Sequence, residues 1–132
     1  MRDEHNRGIC FLALAILLPP MAVSCSSRKT SDAARYRGWA HAEKGDYDKA
    51  IADFTEAIRL DPKLAIAFAD RAISYAIKGE HDKAIADFTQ AIRLDPKDAL
   101  AYSNRARVYR ALGDESKAAS DEKKAQDLRQ RE

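Results

Sequence analysis

At 132 residues the chain is long enough for one domain and too short for several. Its 23 Lys and Arg against 21 Asp and Glu are interspersed and leave a formal net charge of +2, so there is no electrostatic argument for nucleic acid as a partner. Cys10 and Cys25 both lie in the first quarter, and His5, His41 and His81 are scattered without metal-ligand spacing. No metal and no cofactor are therefore expected.

The first segment reads as an address. Arg2, His5 and Arg7 form a polar start diluted by Asp3 and Glu4, and the run from Ile9 to Val23 then carries no charge. That run falls short of the roughly 20 apolar residues of a membrane-crossing helix, and Pro19 and Pro20 interrupt it near its end. Length and flanks favour a secretory signal peptide. The exit "MAVSC", Met21 to Cys25, resembles the lipobox of bacterial lipoproteins. The resemblance implies that the Cys25 thiol receives a diacylglycerol and that cleavage before it makes Cys25 the first mature residue. Residues 1–24 are then the signal peptide and 25–31 a lipidated tether. Acyl chains at about 0.8 kcal/mol per buried methylene would anchor it. Two alternatives stay open: ordinary cleavage after Ala22-Val23-Ser24, giving a soluble periplasmic or secreted protein, and an uncleaved anchor. The expected location is the membrane surface facing the periplasm, and Ser26 resembles the sorting residue of outer-membrane lipoproteins. As an extended chain the seven-residue tether "CSSRKTS" would reach at most about 25 Å.

From Ser31 the chain divides into three units of thirty-four residues: 31–64, 65–98 and 99–132. "DKAIADFTEAIRLDPK" from Asp48 returns from Asp82 with one letter changed. Gly45, Gly79 and Gly113 fall at one place, where a helix must end in a left-handed residue. Pro62 and Pro96, after Asp61 and Asp95, stop a second helix. The spacing predicts A helices over 32–44, 65–78 and 99–112, and B helices over 47–60, 82–94 and 115–129. Small residues recur where helices would touch, as in Gly38/Ala72/Ala106, Ala50/Ala84/Ala118 and Ala57/Ala91/Ala125. Large ones recur between them, as in Ile51/Ile85, Phe54/Phe88 and Ile58/Ile92. The pattern resembles the tetratricopeptide repeat, W-x2-L-G-x2-Y…A-x3-F…P over 34 residues. That resemblance implies an all-α, right-handed solenoid of three helix-turn-helix units over 32–132. In the third unit Glu122, Ala119 and Gln126 replace Phe and two Ile, and no Pro follows. Its last helix is therefore read as a polar cap on which nothing stacks, ending the array.

Departures from the family pattern carry information. Its Trp place holds Ala34, Phe68 and Tyr102, and its Leu place holds Arg37, Arg71 and Arg105. A matching threefold set, Asp53, Asp87 and Asp121, lies sixteen residues on. Each Arg is expected to reach across to an Asp on a B helix as a forked guanidinium–carboxylate pair, which specifies register more than it stabilises.

In this family the A helices line a concave face that holds partners. The resemblance places Arg35, Trp39, Ile66, Asp70, Ile73, Ile77, Asn104, Arg107 and Arg110 there: an apolar centre between basic ends. Some members use a carboxylate clamp to grip chaperone C-termini. Its places here hold Arg35, Trp39, Asp70, Leu100 and Asn104. Only Arg35 keeps that chemistry, and Asp70 would repel a carboxylate. The recurring Asp residues recur with the repeat, and no histidine faces a nucleophile, so an envelope hydrolase is disfavoured. The expected function is a non-enzymatic scaffold binding a protein or peptide at the cell envelope. The alternative is a self-associating homodimer through Tyr36 or Trp39, because no helix precedes the first A helix.

Overall fold

The computed structural model describes residues 20–131, which form six helices and no strand. They are α1 (Pro20–Glu43), α2 (Tyr47–Leu60), α3 (Ala65–Ile77), α4 (His81–Leu94), α5 (Ala99–Ala111) and α6 (Glu115–Arg129). Each packs chiefly on its neighbours in the chain, α1 on α2, α2 on α3 and so on. Contacts between alternate A helices are light. The result is an α-solenoid of helix pairs. Residues 1–19, and with them most of the expected signal peptide, lie outside the described residues.

The punctuation follows from backbone chemistry. Gly45, Gly79 and Gly113 take φ of 79°, 79° and 80°, a region where a side chain costs about 1–2 kcal/mol. Open space surrounds each, so conformation alone demands glycine. Gly79→Ala is therefore expected to lower stability by about 1 kcal/mol in a chemical-denaturation curve without displacing any neighbour. At the other corner the Asp61 carboxylate accepts from the Lys63 amide at 3.1 Å, and Asp95 accepts from Lys97 at 3.2 Å. The duplicated "DPK" is thus a turn in which Asp bridges its own proline. Asp98 and Asp114 cap α5 and α6 by accepting from the amides of Leu100, Ala101 and Lys117.

One boundary differs. The first A helix begins at Pro20, not at 32, so the segment expected to be a tether is helical. Proline is well placed in a first turn, and nothing from 21 to 31 is Gly or Pro. The same seven residues then rise only about 10 Å.

The core is built from small residues meeting large ones. Ala50, Ala57, Ala67, Ala72, Ala84, Ala106, Ala118 and Ala125 are completely buried, as is Phe54, and Phe88 nearly so. Ala34, Ala57 and Ala67 join α1, α2 and α3, with Ile58, Leu60 and Leu64 packed around them. Ala72, Ala84, Phe88 and Val108 join α3, α4 and α5. Alanine at the contacts lets helices approach closely while the phenylalanines fill the space between. On α6 the outer positions are polar or small, with Ala119, Lys123 and Gln126 exposed.

Candidate functional site

A thirty-four-residue offset puts Trp39, Ile73 and Arg107 at the same place on α1, α3 and α5. All three are exposed, Trp39 at 53%. Ile66, Ile77 and Leu100 are exposed on the same helices. Between α3 and α5 lies a groove of about 440 Å³, within the range of about 300–1,000 Å³ usual for ligand pockets. From α3 come Ile73, Ala76 and Ile77; from α4, His81 and Phe88; from α5, Asn104, Arg107, Val108 and Ala111. The structure thus brings together Ile73, Ile77, Asn104 and Arg107, while Trp39 and Ile66 lie outside this lining.

Two of the expected basic residues are engaged elsewhere. Arg35 Nη1 donates to Asp70 Oδ2 at 3.1 Å, and both side chains are largely buried. Burial pushes the Asp70 carboxyl above its ordinary range, with Arg35 acting against that shift. Arg35 also lies over the Tyr36 ring at 4.7 Å. Arg110 donates to Glu122 at 2.8 Å and approaches Glu115 at 3.6 Å, so it turns toward α6. The basic ends expected of the partner-binding face therefore reduce to Arg107, which makes no ion pair among the described residues.

The recurring arginines form a ladder. Arg37 Nε donates to Asp53 at 2.7 Å. Arg71 forks onto Asp87 at 2.7 and 2.9 Å, and Arg105 onto Asp121 at 2.7 and 2.8 Å. A third nitrogen reaches back to the preceding unit: Arg71 to Thr55 Oγ1 at 2.9 Å and Arg105 to Thr89 Oγ1 at 3.0 Å. Rings complete the environment, Phe68 and Tyr75 around Arg71, Tyr102 and Tyr109 around Arg105, all at 5.8–5.9 Å. The bond to Asp87 holds the Arg71 guanidinium above its ordinary value against the pull of burial, and Asp121 does the same for Arg105. Unit one has Ala34 and His41 where the rings stand, and among the described residues no B helix precedes it. Arg37 is accordingly 57% exposed, against 16% and 15% for Arg71 and Arg105.

Family models for the tetratricopeptide repeat match residues 31–64 and, as "TPR repeat", residues 74–113. The chain is a tetratricopeptide-repeat protein. Comparison with curated proteins returned no match. Among solved structures, this tetratricopeptide protein is similar to MamA, at 27% identity over 79% of this chain and 61% of that one, TM-score 0.76. It thus spans less than two thirds of that relative. The second tetratricopeptide domain of Spaghetti, bound to the HSP90 peptide SRMEEVD, is 28% identical over 78% of this chain and 95% of that domain, TM-score 0.75. The yeast Sti1 second domain B, in a complex with an Hsp70 peptide, is 28% identical over 76% and 80%, TM-score 0.74.

In the tetratricopeptide frame, Phe88, Val108, His81 and Ala76 line the groove but do not belong to the partner-binding set expected from sequence. Phe88 recurs as Phe54 and reads as architecture, and Val108 reads as core. His81 sits at the first position of α4, and its buried Nδ1 has no hydrogen-bond partner. A glycine-terminated A helix followed by His at the start of a B helix was the available signal. Among the described residues, no group of three or more His, Cys, Asp or Glu is placed to hold a metal. No described helix is long and apolar enough to cross a membrane.

Proposed function

We propose that this protein is a non-enzymatic scaffold that holds a protein or peptide segment on the concave face of its A helices, at the bacterial envelope. The observation that carries the reading is the α3/α5 groove, apolar in floor and walls and open to solvent beside the unpaired Arg107. Exposed apolar surface gathered in a concavity is the usual mark of a recognition site. The peptide complexes of Spaghetti and Sti1 support the same use of the fold. A clamp for acidic chain ends is not the mode here, because Asp70 already occupies Arg35.

The scaffold reading is tested by isolating the tagged protein from native membranes and quantifying what travels with it. Recovery of a defined partner should fall in Ile77→Asp and persist in a substitution of an exposed B-helix residue such as Ala86→Ser. Equal recovery from both would remove the concave face from the account.

Envelope attachment rests on the "MAVSC" stretch. With lipid on Cys25, the mature chain begins five residues into α1 and the domain sits within about 10 Å of the headgroups. Cys25→Ser should move the protein from the membrane fraction to the soluble one, and mass spectrometry of the wild-type amino terminus should show an acylated cysteine. An unmodified terminus at Cys25 would retire the lipid.

Self-association is a second reading, favoured by one observation. Ala33 is exposed, whereas its equivalents Ala67 and Ala101 are buried against the preceding B helix. Light scattering on the purified protein decides between a dimer and a monomer.

A further inference from the structure

The α3/α5 groove has a chemistry of its own that narrows its ligand. Its floor is Phe88 and Val108, both almost fully buried, and its walls are Ile73 and Ile77, both exposed. No Asp or Glu lines it. Neighbouring cations are already matched. Lys78 binds Asp48 and Glu80, Lys83 binds Glu80, and Arg110 binds Glu122. The two lysines hold the Glu80 carboxyl down at about 2. Of the residues lining the groove, only Arg107 carries a fixed positive charge. Asn104 adds hydrogen-bonding capacity at the same place.

Resting on the scaffold reading, we infer that this groove takes an internal peptide segment bearing an aliphatic or aromatic side chain and, two or three residues along, an acidic one. The apolar side chain lies over Phe88 and Val108 between Ile73 and Ile77, and the carboxylate meets Arg107. The spacing comes from geometry. Ile73 and Ile77 stand on the α3 side and Arg107 on the α5 side, and two or three residues of extended chain cover about 7–11 Å. Charge decides for an internal segment over an acidic chain end. A chain end beside acidic residues brings several carboxylates, whereas one unpaired guanidinium matches one. Arg35, the other cation of the face, is neutralised by Asp70 and almost withdrawn from solvent.

The experiment pans the full-length protein in detergent against a phage-displayed library of random segments. Enriched segments are then synthesised with both ends blocked and titrated by fluorescence anisotropy. The expected segments share an apolar residue followed at the stated spacing by Asp or Glu. Arg107→Ala should weaken them about tenfold. Arg107→Glu should abolish binding, and a segment with Lys in place of its acid should restore it. This charge swap separates recognition from damage, and circular dichroism verifies that each variant is folded. No enrichment, segments lacking the acidic residue, or affinity unchanged in Arg107→Ala would overturn the inference. Segments lost in Trp39→Ala but kept in Arg107→Ala would overturn it while leaving the scaffold reading intact. Failure of the scaffold reading shows separately, as equal partner recovery from the native membrane.

Discussion

Arg71→Leu is expected to lower the free energy of unfolding by about 2–3 kcal/mol, while Arg37→Leu costs under about 1 kcal/mol. The two arginines occupy the same repeat position and both face an aspartate sixteen residues on. They differ in burial. Asp87 is 8% exposed, and both of its carboxylate oxygens are held by Arg71. Removing that arginine leaves a buried, uncompensated charge, strips Thr55 of a donor and empties the space between Phe68 and Tyr75. Arg37 loses a single bond to an aspartate that keeps His41 at 3.5 Å, and water replaces it. The double variant Arg71→Leu/Asp87→Leu should recover most of the loss, since an apolar pair of similar volume replaces a buried ion pair at little cost. Urea unfolding of the four proteins measures all of this. Equal losses at Arg37 and Arg71 would mean that burial is not what sets the value of the ladder.

Phe54→Ala should cost about 3–5 kcal/mol, the range for truncating a fully buried phenylalanine. The ring is locked against Gly38. A Cβ at that glycine would lie 2.8 Å from two Phe54 ring carbons and 3.2 Å from the Ala50 carbonyl oxygen. Gly38→Ala alone is therefore expected to destabilise, despite alanine's helix preference of about 1 kcal/mol. In the Phe54→Ala background the space is open and the same change should stabilise. A double-mutant cycle with opposite signs for Gly38→Ala in the two backgrounds is the expected outcome. Additive losses would contradict the close approach of ring and backbone.

The repeat made much of the fold legible. Glycine and Asp-Pro occur at a fixed period, and the limits expected for α2 coincide with those observed because backbone chemistry bounds that helix; α6 also keeps its expected limits, its start set by Gly113 and the Asp114 cap. α1 escaped the same reading. Its extension to Pro20 lies upstream of the first repeat, where no periodic signal exists. The arginine ladder could be anticipated as a spacing, because Arg and Asp recur together three times. Its threonine and aromatic members required the structure, since they come from the preceding unit or flank the arginine on its own helix. Arg35 and Asp70 show the opposite case. Their contact occurs once, between adjacent A helices, so no recurrence announces it. Arg110 likewise finds Glu122, a residue placed only in the third unit where the others have Phe or its equivalent. What a repeat repeats is readable from one sequence; what each unit does differently is decided by packing across units. The groove belongs to the second kind.

The central claim is that partners are held in the concave groove between α3 and α5. Photo-crosslinking in living cells tests it most directly, with benzoylphenylalanine placed at Ile77 in the groove or at Ala86, exposed on α4 and outside the groove lining. The account predicts a discrete protein adduct from position 77 that disappears in Arg107→Glu, and none from position 86. An adduct from position 86 with none from position 77 would contradict it.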